Sequence, residues 1–443
     1  MSNQQPEFLK RINVAGEKKK SKIIFYGDSP TCATGFGQVS RNILPALHAS
    51  GRFDVDILGI NYWGDPHEYP FKIWPMAINN QRDPYGRQRL QQHLHDPRLE
   101  YDILFFLQDT FILDFLPNLI ASLKQAGKQF KSVFYYPVDG IPKKAWVDAA
   151  NCVDYPVTYS QFAHNMSSMV VPEISERLKI MPHGVNPKVF FPAPAAEVKQ
   201  FRDQFFGTMA NRFIVTNVNR NQQRKDIPAT IRAFKEFQKQ RPESLLYLHM
   251  AAQDQGWNLP EVIKAFDLDI TKDVILPQNF SPSAGFPLNI LNLIYNASDA
   301  VISTTVGEGW GLVWTEAMAC KIPVIHPNNT CLGEYITEET GYPYASGQDA
   351  DHITVLPNDN EVPRPTAHIN EVVARLLQVH DDRDEAKKRA ETAYKMVMDN
   401  LVWDKHINPR WLAMFDQIIA EANRPYAPQG PNLARPVLKG DLL

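Results

Sequence analysis

This 443-residue sequence has few cysteines, no long hydrophobic run and no large excess of charge of one sign. The four cysteines lie far apart without a CxxC pair, which excludes a dense disulfide framework and predicts buried or loop thiols in a reducing compartment. No apolar run approaches the roughly 18 residues of a membrane span, and the first residues lack the apolar core of a signal peptide. We therefore expect a soluble, cytoplasmic protein without a transmembrane segment.

Positive and negative charges nearly cancel, with 46 Lys and Arg against 49 Asp and Glu and a formal net charge of −3. That balance argues against a protein coated for nucleic acid, although a local basic patch stays open. Hydrophobic residues make up 44% of the chain, which is enough for well-buried sheets. Because the length exceeds one ordinary core, we predict two domains of about 200 residues each.

Short apolar runs alternate with helical stretches along most of the chain. The strand candidates are 22–27, 54–60, 102–108, 132–136, 155–159, 178–181, 213–219, 245–250, 273–276, 299–303 and 322–326. Such alternation predicts two doubly wound, Rossmann-like α/β domains with a cleft between them. The predicted boundaries are a flexible leader over 1–20, a first domain over 21–190, a linker over 191–210, a second domain over 211–370, C-terminal helices over 371–422 and a weakly ordered tail over 423–443.

Residues 61–97 interrupt this alternation with an irregular stretch rich in Pro, His, Asn and Gln. A long loop in such a position is often a substrate-facing insertion. We therefore expect a substrate-facing loop there.

The most informative stretch spans residues 303–325. An apolar strand leads into a glycine loop, then into a helix over about 312–320, and a second strand follows. A strand, loop and helix in this order place ligands at the carboxyl end of the strand, against the helix N-terminus. The loop glycines, Gly307, Gly309 and Gly311, allow backbone N–H groups to approach an anion.

Two glutamates flank the start of this helix. Glu308 and Glu316 stand eight positions apart, which corresponds to about 10 Å along a helix. That spacing suits a nucleotide-sugar, with sugar hydroxyls at one carboxylate, ribose hydroxyls at the other and the diphosphate between them. A simpler interpretation is a helix start with one solvated glutamate at each end, but such a start does not require three glycines.

A second glycine loop follows the first predicted strand and carries Gly35 and Gly37 before a helix over about 38–49. Its spacing is not GxGxxG, so a dinucleotide is not implied. We expect this loop to face a phosphate or a sugar at the head of the first sheet.

Several motifs together resemble the retaining family 4 glycosyltransferases of the GT-B fold. The segment from Glu308 to Glu316 resembles their E-x7-E signature, and Met181-Pro-His-Gly-Val-Asn-Pro-Lys-Val-Phe-Phe-Pro192 resembles the segment that ends their N-terminal domain. Arg220 and Lys225 match the Arg and Lys that follow the first strand of their donor domain. With the loop at Gly35, four matches occur in the family's order over residues 22 to about 340.

The resemblance implies an N-terminal acceptor domain, a C-terminal donor-nucleotide domain and a set of site residues. The predicted catalytic residues are Arg220, Lys225 and Glu308, together with Asp139, which stands where the sequence departs from the family. The predicted donor-binding residues are Gly35, Gly37, His183, Gly309, Trp310, Gly311, Leu312 and Glu316. Gln108 and Asp109, at the end of a predicted strand, are the predicted acceptor contacts. Two fixed cations neutralise a departing diphosphate without a metal, so neither a metal nor a cofactor is expected besides the nucleoside-diphosphate-sugar.

The sequence departs from the family in the first domain. Many relatives carry a histidine near the anomeric carbon, whereas Phe134-Tyr-Tyr-Pro-Val-Asp-Gly140 contains none at the corresponding place. Asp139 is predicted to take a polar role near the donor sugar, with a turn or helix-cap role as the alternative.

The implied reaction is transfer of a sugar to an acceptor hydroxyl with retention of anomeric configuration, by a front-face route that relies on positioning and electrostatics. The acceptor stays open between a glycan, a lipid, a small molecule and a hydroxylated DNA base of the phage type. A lysine-rich leader and Arg82, Arg87 and Arg89 keep nucleic acid among the partners. The alternatives are an epimerase or phosphorylase on the same fold and a non-catalytic nucleotide-sugar-binding protein; the oligomeric state is left open.

Overall fold

The structure is a computed structural model and describes residues 20–76, 83–278, 280–281 and 284–422. The predicted leader, except for Lys20, and the predicted tail lie outside these residues. Two parallel sheets with helices on their faces confirm the predicted fold class. The hydrophobic runs of the sequence become the central strands because a parallel sheet is covered on both faces.

The first sheet has seven parallel strands in the order β3-β2-β1-β4-β5-β6-β7. These strands are β1 (Ser21–Asp28), β2 (Phe53–Ile60), β3 (Lys72–Pro75), β4 (Ile103–Leu107), β5 (Lys131–Tyr136), β6 (Tyr155–Thr158) and β7 (Lys179–Ile180). The helices of this half are α1 (Gly35–Ala49), α2 (Arg87–His95), α3 (Leu116–Gln125), α4 (Lys144–Asn151) and α5 (Gln161–Val170).

The second sheet has six parallel strands in the order β10-β9-β8-β11-β12-β13. They are β8 (Phe213–Val218), β9 (Ser244–His249), β10 (Val274–Ile275), β11 (Ala300–Ile302), β12 (Val324–Pro327) and β13 (Tyr342–Tyr344). The helices that accompany this sheet are α6 (Ala195–Phe206), α7 (Ile227–Gln240), α8 (Leu259–Ala265), α9 (Leu288–Asn296) and α10 (Leu312–Ala319).

After β13 the chain forms an antiparallel hairpin and then three helices. The hairpin consists of β14 (Ile353–Val355) and β15 (Pro363–Pro365), and the helices are α11 (Ile369–Asp381), α12 (Arg383–Asn400) and α13 (Asn408–Ala422). The last helix packs on the first sheet, where Trp411 and Phe415 contact Phe105 at ring-centroid distances of 5.3 Å. Helix α13 therefore connects the second half to the first sheet.

Local differences from the sequence prediction have identifiable causes. The insertion over 61–97 is not irregular throughout, because β3 adds to the edge of the first sheet and α2 follows it; residues 77–82 lie outside the described residues. The polar connection over 191–210 contains α6, whose Phe206 is buried. The first loop is shorter than predicted, since Thr34 accepts a hydrogen bond from the Gly37 amide at 3.0 Å and caps a helix that begins at Gly35.

Candidate active site

Each sheet reverses its strand order at one point, and these two points face each other. In the first sheet the reversal lies between β1 and β4, and in the second between β8 and β11. Ligands of open α/β sheets bind outside the carboxyl ends of the strands at such a point. The loops that follow these four strands carry most of the residues predicted for the site.

The glycine loop after β11 packs closely against the first half. At Gly307 a Cβ atom would lie 2.1 Å from the carbonyl oxygen of Asp139, which belongs to the first half. Gly311 has a φ of +88° and immediately precedes α10, which begins at Leu312. Only glycine fits the first position without displacing Asp139, and the second favours glycine because of its left-handed backbone.

Glu308 lies in this loop and is paired with two cations from the loop after β8. Its carboxylate accepts a hydrogen bond from the Lys225 ammonium and lies 3.4 Å from the Arg224 guanidinium. Burial raises the pKa of Glu308 and the two cations lower it, with a net shift downward. Burial and Arg224 lower the pKa of Lys225 to about 8 despite the opposing effect of Glu308. The structure thus brings two predicted catalytic residues into direct contact.

Arg224 is a site residue that the sequence analysis missed. Its guanidinium donates to the carbonyl oxygen of Gly307 and lies 3.1 Å from the Asp139 carboxylate. The available signal was its position beside Lys225 in a loop already assigned to phosphate. A second cation in that loop could equally have pointed to solvent, and only the fold turns it inward.

Arg220 lies at the edge of the same loop and is about 40% exposed (side-chain exposure 42%). It forms an ion pair with Asp254 at 2.6 Å. Burial raises the pKa of Asp28, at the end of β1 in the opposite half, and Arg220 is among the groups that lower it. Arg220 therefore faces the space between the halves but does not join the Lys225 and Glu308 pair.

Glu316 is buried inside α10 and is held by both halves of the protein. Its two carboxylate oxygens accept hydrogen bonds from the Gln38 amide of α1 at 2.8 Å and from the Tyr295 hydroxyl at 2.7 Å. Burial raises its pKa to about 7. A cavity of about 120 Å³ adjoins it, lined by residues that include Gln38, Arg41, Leu312, Glu316 and Trp403. The second glutamate thus borders a cavity whose walls come from both halves.

Asp139 lies within the loop between β5 and α4, where the sequence lacks the family histidine. It does not cap α4, whose preceding residue is Lys143. Its carboxylate lies 3.1 Å from Arg224 and 3.0 Å from Arg364, and the latter comes from β15. Burial raises the pKa of Asp139, and these guanidinium groups together with Lys225 lower it below its usual value. The contacts favour a polar role in the site over a turn role.

The predicted acceptor contacts follow β4. Gln108 is buried, and its side-chain oxygen accepts a hydrogen bond from the Asp109 amide at 2.9 Å. Burial first and the nearby Asp139 second raise the pKa of Asp109 to about 7. On the neighbouring strand, Asp28 accepts a hydrogen bond from Thr34 at 2.5 Å. Asp28 is a further carboxylate at this reversal point that the sequence analysis did not select.

Several of the other residues predicted to bind the donor make packing contacts in the structure. His183 is buried among aromatic rings, with Tyr159 at 4.2 Å, and neither ring nitrogen has a partner among the described residues. Burial lowers the pKa of His183 to about 3, so the ring is neutral. Trp310 stacks on Tyr335 at 4.8 Å, and Gly35 faces Leu312 across the interface, where an added Cβ would lie 3.8 Å from the Leu312 side chain.

One group of side chains outside the site has the composition of a metal centre. Ligand atoms of Asp349, His352 and His368 lie within 4.8 Å of one another. The two imidazoles are stacked at 3.4 Å with an angle of 12° between their planes. Nitrogen lone pairs lie in the ring planes, so nearly parallel rings do not direct both at one ion, and coordination would require one ring to turn.

Within the described part of the chain, no helix is both long and apolar enough to span a membrane.

Comparisons with known proteins find similarity over a larger part of the chain than the motifs cover. Residues 170–408 match the model of a family described as family 4 glycosyltransferase in conflict systems. Over 249 residues the chain is 23% identical to a probable sucrose-phosphate synthase from Thermosipho melanesiensis, covering 55% of this chain and 49% of that protein. Over 259 residues it is 20% identical to a trehalose synthase from Thermococcus litoralis, covering 56% of each. The chain spans about half the length of the curated relatives it matches.

Solved structures resemble nearly the whole chain. A sucrose-phosphate synthase from Thermosynechococcus elongatus superposes with a TM-score of 0.69 at 17% identity, covering 91% of this chain and 100% of that one. HepE from Anabaena, solved with UDP and glucose, superposes with a TM-score of 0.66 at 16% identity, covering 90% of this chain and 100% of HepE. WaaG, a glycosyltransferase involved in lipopolysaccharide biosynthesis, superposes with a TM-score of 0.60 at 13% identity, covering 89% of this chain and 99% of WaaG. At these identities the likeness establishes the fold, which confirms the GT-B arrangement.

Proposed function

The chain belongs to the family 4 glycosyltransferases, and on that premise we propose that it transfers a sugar from a nucleoside-diphosphate-sugar to an acceptor hydroxyl with retention of anomeric configuration. In this reaction the bond between the anomeric carbon and the phosphate oxygen breaks. The acceptor oxygen bonds to the same face of that carbon, and its proton passes to the departing phosphate. The products are a glycoside and a nucleoside diphosphate.

The observation that carries this proposal is the buried pair of Lys225 and Glu308 at the start of α10, with Arg224 beside it. The two cations and the helix N-terminus offer positive charge where a diphosphate would become more negative as it leaves. Lys225 then exchanges part of its contact with Glu308 for a phosphate oxygen. Glu308 is released toward the sugar hydroxyls.

Glu316 is proposed to receive the ribose. In the free protein its oxygens are occupied by Gln38 and Tyr295, both of which are neutral donors that ribose hydroxyls can replace. An ionised carboxylate binds such hydroxyls more strongly than a neutral group does. Because HepE has been solved with UDP-glucose, UDP-glucose is the first donor to test.

We propose that transfer needs neither a metal nor a cofactor. Arg220, Arg224 and Lys225 supply three cationic groups around the loop after β8, and each would exchange part of its contact with a carboxylate for an oxygen of the diphosphate. Activity should therefore persist in EDTA. Restoration of activity by added Mg²⁺ or Mn²⁺ after EDTA treatment would contradict this part of the proposal.

The acceptor is proposed to bind at the carboxyl edge of the first sheet. Three large aromatic side chains follow successive strands there and are exposed, namely Trp63 after β2, Tyr85 after β3 and Phe111 after β4. Such rings stack on flat apolar faces, including the ring faces of sugars and bases. Arg87 is already engaged, 3.5 Å from Asp114 and over the Phe115 ring, and Arg82 lies outside the described residues. The Arg87 pair is exposed and therefore weak, so we propose a glycan or a small molecule as the acceptor and keep hydroxymethylated DNA as the alternative that the binding test decides.

The four cysteines are unbonded in the structure, which supports a reducing compartment such as the cytoplasm.

A thermal-shift screen of UDP-, GDP- and ADP-sugars tests the donor, because a ligand that binds only the folded state raises the melting temperature. NMR of the product then gives the anomeric configuration. Acceptor panels should include oligosaccharides and hydroxymethylated DNA at low and high salt, since binding to DNA would weaken steeply as salt rises. An inverted linkage would exclude the retaining route, and no shift with any nucleotide-sugar would exclude the donor class.

A further inference from the structure

The β14–β15 hairpin reaches from the second half of the protein to the loop that carries Asp139. Arg364, in the middle of β15, has a side chain that is only 4% exposed. One end of its guanidinium donates to the Asp139 carboxylate at 3.0 Å and to the Asp139 carbonyl oxygen, while the Nε side binds Asp359 at 2.6 Å. Asp359 lies in the same hairpin, so it fixes the direction in which the guanidinium points.

Two glycines leave room for this contact. At Gly140 a Cβ would lie 2.8 Å from an Arg364 nitrogen, and at Gly307 a Cβ would lie 3.0 Å from the same nitrogen. One glycine follows Asp139 directly, and the other immediately precedes Glu308. The guanidinium therefore sits against the backbone of both loops that form the predicted sugar end of the site.

Asp139 is held on both oxygens by arginines of the opposite half. Arg224 contacts one carboxylate oxygen at 3.1 Å, and Arg364 contacts the other at 3.0 Å. Asp109 is a further acidic group close enough to interact with Asp139. Without Arg364, one oxygen of Asp139 loses its cationic partner and the repulsion from Asp109 is less well balanced.

We propose that Arg364 is a positioning residue that aims the Asp139 carboxylate at the donor sugar, so that the hairpin completes the active site. This inference rests on the proposed function. An ionised carboxylate beside the anomeric carbon stabilises the positive charge that develops there as the phosphate departs. A carboxylate placed by two fixed guanidinium groups requires little reorganisation during that step.

The hairpin has a second contact to the same loop that provides a matched control. Lys143 pairs with Glu361 at 2.6 Å, but both side chains are largely exposed, at 48% and 80%. Exposed pairs of this kind contribute little. The K143Q variant therefore removes a hairpin contact without touching Asp139.

The test compares R364Q, R364K, D139N and the R364Q/D139N double variant, using UDP-glucose turnover and UDP binding. We expect R364Q to lower kcat about 10²-fold while the Kd for UDP, which lacks the sugar, changes less than about twofold. R364K should recover part of kcat, because lysine keeps the positive charge but lacks the planar guanidinium that can bind two acceptors at once. The double variant should be no slower than D139N, because both changes remove one function.

Wild-type kcat in R364Q would overturn the inference, as would a double variant whose loss equals the product of the single losses. An equal loss in K143Q would assign the effect to hairpin docking and also overturn it. If R364Q fails to fold, D359N removes only the partner that orients Arg364 and should give a smaller loss in kcat. A wild-type protein that turns over no nucleotide-sugar refutes the proposed function itself, whereas an active wild type with an equally active R364Q refutes only the role of Arg364.

Discussion

The two faces of the site differ in how far their functional groups are occupied before any substrate binds. On the side of the second sheet, Lys225, Glu308 and Glu316 are at most 9% exposed and make ion pairs or hydrogen bonds. On the side of the first sheet, Trp63 is 68% exposed and Phe111 is 38% exposed. Under the proposed function, the comparison separates a preorganised donor side from an acceptor side on which exposed rings accompany the buried Gln108. Preorganisation favours one ligand, whereas exposed rings accept several.

We expect the largest loss of activity on the proposed donor side from the K225A substitution. It removes a cation from the departing phosphate and leaves the buried Glu308 carboxylate with Arg224 alone. We expect kcat to fall about 10³-fold, and the free energy of unfolding to fall by about 3 kcal/mol. Initial rates and denaturant unfolding measure these effects.

The matched control is K239A, which removes an exposed lysine that pairs with Glu236 on the surface of α7. It should leave both quantities close to wild type. A folded K225A protein that binds donor but transfers nothing supports an enzyme over a binding protein. Full transfer by K225A would contradict the role assigned to this lysine.

The next effect concerns the other end of the donor. E316A removes the carboxylate that is proposed to accept hydrogen bonds from the ribose hydroxyls. It also leaves the Gln38 and Tyr295 side chains without the hydrogen-bond acceptor that they share. Since hydrogen bonds to charged groups contribute about 1.5–3 kcal/mol, we expect the Kd for UDP to rise at least about tenfold. Calorimetry with UDP measures this change, and E316Q, which keeps the shape, should lose less. An unchanged Kd in E316A would place the ribose elsewhere.

The same two groups predict how donor binding depends on pH. Lys225 carries its charge below its pKa of about 8 and loses it as pH rises, whereas Glu316 gains its charge as pH rises through about 7. UDP should therefore bind best between these values and more weakly on both sides. The K225R variant should extend binding to higher pH, because arginine stays charged there. Binding that is flat from pH 6 to 9 would contradict both assignments.

The smallest effect is expected on the acceptor side. W63A removes one exposed ring, and a stacking contact contributes about 0.5–1.5 kcal/mol, so the acceptor KM should rise a few-fold. The Kd for UDP should not change, because Trp63 follows β2 in the first half, whereas the proposed UDP contacts Lys225 and Glu316 belong to the second half. F191A is a matched control, since Phe191 is 40% exposed and precedes α6 on the connection between the halves. A changed Kd for UDP in W63A would contradict the proposed separation of the site into a donor side and an acceptor side.

The alternation of apolar runs was enough to predict both sheets, because a strand buried on two faces must be apolar throughout. It missed two short edge strands, β3 with four residues in a polar insertion and β13 with three residues. It also missed the β14–β15 hairpin, whose exposed Ile353 and Val355 give no buried pattern. Glu308 and Glu316 could be selected from the sequence because both belong to one local motif. Arg364 was not, since it reaches Asp139 across 225 positions of the chain.

By itself the sequence determined the two doubly wound sheets, the glycine loop before α10 and the pair of glutamates around it, because these depend on local periodicity and spacing. Only the tertiary structure decided which charges meet. It turned Arg224 inward, paired Arg220 with Asp254 and placed Arg364 against Asp139. The physical reason is that an ion pair forms between groups within a few ångströms, whatever their separation in sequence, and that distance is set by how the halves pack.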